Sequence, residues 1–288
     1  MAMEIIYSPE CLRYQRIAHP ESPVRVRIAQ EYLARLGYEF LKPEPASREE
    51  ILSVHTEELV RRVETGDFYD PDCPPYEGIE FYARLSAGGA ILAQRRRGFS
   101  LMRPPGHHAG PSFLGGFCYF NNIAIAVRLS GLRTLIVDID GHHGNGTQAI
   151  FLGDDQVTYV SLHRMYNYPG TGYRSERNCL NYPLPPRCGE KVYLETLEKA
   201  VEEAGRDYQQ LAISAGFDTY RDDPLASLGL EVQSFYEIGV MLGKLALPTF
   251  CVLEGGYVPE IIGPATEALV VGLKDGGALT GPPGSPEG

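Results

Sequence analysis

Apolar and polar positions change period along this chain, and the changes mark its elements. Residues 3–7, Met-Glu-Ile-Ile-Tyr, read as a short strand. Over residues 23–37, Val26, Ala29, Leu33 and Leu36 recur at helical spacing and share one face. Ser47-Arg48-Glu49-Glu50 is a capping box that opens a second helix, which carries His55 as a structural histidine. Residues 66–77 form a loop rich in Pro, Asp and Tyr, of the kind that can carry binding groups. A long helix over 78–96 ends at Arg95, Arg96 and Arg97, where positive charge suits the helix dipole. Beyond it, apolar runs at 134–138, 157–162, 211–215 and 248–253 alternate with helical patterns at 121–128, 190–204, 232–246 and 259–273. That alternation predicts an α/β fold, a mainly parallel sheet with helices on both faces. No repeat or linker divides residues 1–274, which read as one domain; the Gly/Pro-rich stretch 275–288 reads as a disordered tail.

Composition narrows the classes. In 288 residues no apolar run approaches the roughly 20 needed to cross a bilayer, so no membrane partner is expected. The first residues are strand-like rather than basic and then apolar, unlike an export signal. A net charge of -11 argues against a nucleic-acid partner and suits a cationic substrate. The six cysteines include no Cys-x-x-Cys pair, which argues against a thiolate zinc site and for a reducing, cytoplasmic setting. Cys118 and Cys251 sit in apolar company and read as buried thiols. The oligomeric state is left open, a homodimer included.

The chemistry gathers at the ends of the apolar runs. Asp138-Ile139-Asp140-Gly141-His142-His143-Gly144-Asn145 follows the run at 134–137 and crowds two carboxylates and two imidazoles. Such a cluster is costly unless a metal or a reaction uses it. Ser161-Leu162-His163, Gly216-Phe217-Asp218 and Glu254-Gly255-Gly256-Tyr257 end the other runs, and Arg103 to Gly110 forms a turn with paired histidines. His163 reads as structural. Asp140, His142 and Asp218 offer two carboxylates and one imidazole, leaving room for water and substrate on a metal. His107 or His108 supplies an acid and base, and Tyr257, freed by two glycines, a donor to a developing oxyanion. The constellation points to metal-assisted hydrolysis of an amide.

These motifs, Arg-Pro-Pro-Gly-His-His-Ala, Gly-Phe-Cys-Tyr-Phe-Asn-Asn, Asp-Ile-Asp-Gly-His-His-Gly-Asn-Gly-Thr and Leu-Glu-Gly-Gly-Tyr, stand in the order of a known family. From His19-Pro20-Glu21 to Tyr257 the chain resembles the zinc-dependent histone deacetylases, which include acetylpolyamine amidohydrolases and bacterial acetoin-utilisation-type proteins. Its motifs look closer to class II and bacterial members than to class I. The resemblance implies a three-layer arginase/deacetylase-like fold and one Zn2+ on Asp140, His142 and Asp218. It implies that His108 is the general base and acid, oriented by Asn145, with His107 and Asp138 as the electrostatic pair and Tyr257 as the carbonyl donor. Asp72, Gly116, Phe117, Tyr168 and Leu225 would contact substrate, an acylated lysine or another acetylated amine. A K+ or Na+ ion would sit on the backbone of Asp138, Asp140, His142, Ser161 and Leu162, and a second near Phe151 and Val157.

Two departures stand out. Gly141 replaces a larger residue and is expected to loosen the ligand segment. Leu225 stands where a polyamine-selective relative carries an acidic gatekeeper, which weakens the case for free polyamines. The short chain also implies trimmed loops and an open mouth. Three further readings remain: an acetylpolyamine deacetylase, a catalytically silent metal-containing acyl-lysine binder, and an arginase-like binuclear hydrolase. The last needs an Asp two residues after His142, where Gly144 stands.

Overall fold

The computed structural model describes residues 3–278. Its strands are β1 (Ile5–Ile6), β2 (Phe40–Leu41), β3 (Phe99–Ser100), β4 (Thr134–Asp138), β5 (Val157–Arg164), β6 (Cys179–Leu184), β7 (Gln210–Ala215) and β8 (Thr249–Leu253). They form one sheet in the order β2-β1-β3-β8-β7-β4-β5-β6, and every neighbouring pair is parallel. The helices are α1 (Pro23–Arg35), α2 (Arg48–Leu52), α3 (Glu57–Thr65), α4 (Ile79–Arg96), α5 (Asn122–Ser130), α6 (Asn145–Phe151), α7 (Glu190–Ala204), α8 (Val232–Gly243) and α9 (Pro259–Gly276). Among the described residues, no helix is long and apolar enough to cross a membrane.

The expected three layers follow from side-chain alternation along each strand. Leu135 and Val137 of β4 pack into a core shared with Val26 and Leu33 of α1, Leu197 of α7, Phe235 of α8 and Leu269 of α9. Ile136, pointing the other way, packs with Ala90 of α4, Ile123 and Val127 of α5 and Phe151 of α6. With both faces covered, every residue of β4 and β7 is buried, which is why these strands read as mainly apolar runs. Helices α8 and α9 approach closely because glycines face the contact: a Cβ at Gly239 or Gly272 would run into the opposite backbone.

From β4 the chain moves outward to β5 and β6, then returns to the other side of β4 to lay down β7 and β8. The crevice at the carboxyl ends of β4 and β7 is therefore a topological switch point, where open α/β sheets bind ligands.

Several elements differ from the sequence reading. Helix α2 ends at Leu52, so His55 lies in the following turn rather than on the helix; Thr56 then caps α3, its Oγ1 accepting from Leu59 N–H. The capping box itself is formed. Strand β6 escaped notice because Asn181 and Pro183 interrupt its apolar pattern; as an edge strand it tolerates the proline. Asp275 and Gly276 belong to α9 rather than to the tail, and 279–288 lie outside the described residues.

His55 is structural, as expected. Its Nδ1 donates to Gly110 O (2.8 Å) and its Nε2 accepts from Asn121 N–H (2.8 Å), tying the paired-histidine turn to the start of α5. Accepting at Nε2 needs the neutral ring, and burial pushes its pKa down to about 4. An unfolded histidine titrates near 6.5, so between those values the unfolded chain binds the extra proton. Stability is therefore expected to fall as pH drops from about 6.5 to 4, by about 3 kcal/mol from this residue. Urea titrations of the wild type and His55→Gln across that window check it; equal acid sensitivity in both would sink the assignment.

Candidate active site

The chain leaves β4 at Asp138 and turns back on itself, so Asp140 and His142 stay at the strand end instead of running out to solvent. Asp140 Oδ1 accepts from His142 N–H (2.8 Å) and its Oδ2 from Gly255 N–H (2.7 Å). Asp218, just past β7, accepts from Gly141 N–H at Oδ1 (2.7 Å). Asp140, His142 and Asp218 are buried, with one donor atom from each all within 4.8 Å of one another. His142 Nδ1 lies 2.7 Å from Asp218 Oδ2, yet that buried oxygen receives no hydrogen bond. Burial opposes charge on His142, but Asp218 and then Asp140 lift its pKa to about 10, so the cluster draws positive charge. An orphaned carboxylate oxygen, a second carboxylate and an imidazole nitrogen converging in a buried crevice fit a divalent cation. Gly141 does not loosen this segment, contrary to expectation. Its N–H holds Asp218, its carbonyl accepts from Arg164 N–H (2.9 Å), and Ala226 packs where a side chain would go.

The two histidines of the turn sit beside this cluster with ring centroids 4.0 Å apart. His107 Nδ1 donates to Asp138 Oδ2 (3.0 Å), and Tyr159 O–H donates to the same oxygen (2.8 Å). Burial opposes protonation of His107, but the Asp138 and Asp140 charges win and raise its pKa to about 10. Burial, then the charges of His107 and His142, hold His108 well below the usual histidine range. One ring is thus an imidazolium and its neighbour a neutral base. His108 Nδ1 donates to Asn145 Oδ1 (2.8 Å), which leaves the lone pair on Nε2. Asn145 opens α6, so the helix itself places the orienting oxygen.

Tyr257 follows the two glycines after β8, its N–H donating to Asp223 Oδ2 (2.8 Å) and its ring 5.0 Å from the Arg25 guanidinium. Burial holds the phenol protonated well above its usual range, Arg25 opposing and Asp140 and Asp218 assisting. Phe117 stands edge-on to Tyr257 (5.8 Å) and Tyr168 edge-on to His108 (5.0 Å), so the aromatic pair flanks the crevice. Gly116 (φ +52°) is glycine of necessity: a Cβ there would strike the His108 ring and Tyr168. Asp72, Phe117 and Leu225 line a cleft of about 430 Å³ with Arg16 to Pro20. Burial and the adjacent Asp70 charge push the Asp72 carboxyl up. Tyr168 is 41% exposed, which leaves the mouth open on that side.

A family model described as the histone deacetylase domain matches residues 19–273. The chain belongs to the histone deacetylase family. This deacetylase is 36% identical, over 96% of its length, to a probable deacetylase of Archaeoglobus fulgidus, 87% of which is covered. It is 39% identical, over 68% of its length, to acetylpolyamine amidohydrolase 1 of Pseudomonas aeruginosa, 62% of which is covered. The solved HDA15 HD domain matches with a TM-score of 0.87 and 32% identity, over 96% of this chain and 89% of that one. The fold is the arginase/deacetylase fold, and the chain is a hydrolase of linear amides.

Three buried carboxylates of the deacetylase support the site without having been singled out for it. Glu254 Oε2 accepts from Gly106 N–H (2.7 Å) and His107 N–H (3.1 Å), fixing the backbone of the paired-histidine turn. Asp223 fixes Tyr257, and its other oxygen accepts from Leu225 N–H (2.8 Å), setting the loop at the mouth. Glu21 takes two bonds from the buried Arg103 (2.7 Å each) and one from Arg25 (3.2 Å); Arg25 in turn donates to the carbonyls of Glu254 (2.6 Å) and Gly256 (2.5 Å). Glu254 was legible as a strand-end acid, but no local pattern marks Glu21, Arg25 or Asp223 as props. The backbone expected to hold a monovalent ion also comes together: Asp138 and Ser161 are register partners on β4 and β5, and both are buried. Ser161 Oγ also bonds His163 Nδ1 (2.9 Å), and His163 Nε2 reaches Gly172 O (3.0 Å), a structural role as expected.

Proposed function

We propose that this chain removes acetyl or another short acyl group from a lysine-like amine, with one Zn2+ held by Asp140, His142 and Asp218. The observation that carries the reading is the convergence of that donor cluster with a neutral, Asn145-oriented His108 and a protonated Tyr257. Bound there, the metal would acidify a water and polarise the acyl carbonyl. His108 Nε2 takes a proton from the attacking water and later returns one to the leaving amine. The His107 imidazolium, anchored on Asp138, stabilises negative charge that builds up beside it. Tyr257 donates its phenolic hydrogen to the developing oxyanion. Phe117 and Tyr168 flank the acyl-amine chain, Gly116 gives it room, and Asp72 and Leu225 meet the rest of the substrate at the mouth. A K+ or Na+ ion on the backbone of Asp138, Asp140, His142 and Leu162 with Ser161 belongs to the same reading. All six cysteines are free thiols, which suits a cytoplasmic setting.

Acetylpolyamine hydrolysis is the second reading, favoured by the carboxylates Asp70 and Asp72 beside the cleft and by the Pseudomonas relative's name. Turnover of an acetyl-lysine peptide and of N-acetylputrescine by the zinc-loaded enzyme separates the two. The peptide is expected to react faster, and Tyr257→Phe to lower kcat about 100-fold with KM nearly unchanged. Turnover of the polyamine alone would shift the assignment to the second reading. No turnover of either substrate, with zinc bound, would reject both and favour the silent binder.

A further inference from the structure

We propose that the side-chain amide of Asn178 replaces the second monovalent cation expected near Phe151 and Val157. From the last residue of α6 to the first of β5 the chain curls so that three carbonyls converge on one point. Asn178 Nδ2 sits there, donating to Phe151 O (2.8 Å) and Val157 O (2.8 Å), with Asp154 O at 3.3 Å. An amide has two N–H hydrogens, so two short bonds and one longer contact are what a single Nδ2 can supply to three acceptors. The other end of the side chain is engaged as well: Asn178 Oδ1 accepts from Gly153 N–H (2.6 Å). Its backbone carbonyl accepts from Tyr159 N–H (3.0 Å), so the residue is pinned at the start of β6. The carbonyls of Phe151 and Val157 are those an ion would need, and a nitrogen 2.8 Å from each leaves no volume for one.

The residues here therefore do not fit the ion; they fit an internal donor. A carbonyl ring asks for positive charge at its centre, and the amide supplies it as two partially positive hydrogens fixed to the chain. The consequence lies in what the loop connects. It leaves α6, which carries Asn145, and enters β5, which carries Ser161. Closing it with a side chain makes this join independent of the salt present.

Anomalous diffraction from crystals soaked in thallium(I), a potassium mimic, tests the idea directly. No peak is expected within the ring of Phe151, Asp154 and Val157 carbonyls in the wild type. In Asn178→Ala a peak is expected there, together with a Tm raised by about 3 °C or more in KCl over choline chloride, beyond any shift in the wild type. If the alanine variant does not fold, Asn178→Ser, which keeps an acceptor for Gly153 N–H, takes its place. A thallium peak in the wild-type ring, with the Asn178 side chain swung out, would overturn the proposal. So would a ring without thallium in the variant, because the amide would then be replacing nothing.

Discussion

Asp218→Ala is expected to abolish both metal binding and turnover while leaving a folded protein. The residue contributes one of three donor atoms to the cluster, and its Oδ2 has no other partner to satisfy it. Removing a direct ligand should cost more than the roughly 10- to 100-fold in affinity that loss of a supporting outer partner costs. It also relieves repulsion between two buried carboxylates, since burial and Asp140 push the Asp218 carboxyl up to about 7. Against that gain stands the loss of the acceptor for the buried Gly141 N–H, so the metal-free variant is expected to melt within about 5 °C of the metal-free wild type. Metal content after dialysis, deacetylation rate and Tm measured on the same samples check this. Zinc retained at wild-type stoichiometry, or a rate within about tenfold of wild type, would remove Asp218 from the site. A fall in Tm of more than about 10 °C in the metal-free variant would instead make holding Gly141 N–H the main task of Asp218.

The framework of this site was legible because the switch point concentrates chemistry at strand ends. Fully buried parallel strands announce themselves as apolar runs, and β4 and β7 deliver Asp138, Asp140, His142 and Asp218 to one crevice. The long motifs supplied the rest of the catalytic set. Elements whose stability comes from tertiary packing were harder to read. Two-residue strands such as β2 and β3 have no period to detect, whereas β1 lies within the short strand read over residues 3–7. Helix α6 begins among glycines and polar residues, and its contacts with β5, α5 and the paired-histidine turn give it a reason to form. The supporting acids were hidden for the same reason. Glu21 meets Arg103 across 82 positions and Glu254 meets Gly106 across 148, and no local pattern encodes a partner that far away. The Asn178 ring is the sharpest case. A resemblance carries an ion's backbone ligands from chain to chain, but only the folded loop reveals a side chain already sitting among them.

His108→Ala is expected to lower kcat by about 10³- to 10⁴-fold, at the upper end of what a positioned acid and base contributes. The ring is asked to act twice, as base toward water and as acid toward the leaving amine, so its loss cannot be confined to one half of the reaction. Its suitability rests on geometry first. Asn145 Oδ1 can only accept, so it commits the ring proton to Nδ1 and leaves Nε2 as the base. Burial, and then the His107 imidazolium 4.0 Å away, centroid to centroid, keep the resting His108 neutral. Metal content should stay at the wild-type level, because His108 is not among the donor atoms of the cluster. That separates this loss from the one at Asp218: added imidazole should restore part of the turnover in His108→Ala and none in Asp218→Ala. Near wild-type turnover in His108→Ala would move the base to His107, which its proton, held on Asp138, makes the poorer candidate. Lost activity with lost metal would instead mean that His108 serves the metal cluster, and the division of labour between the paired histidines would have to be redrawn.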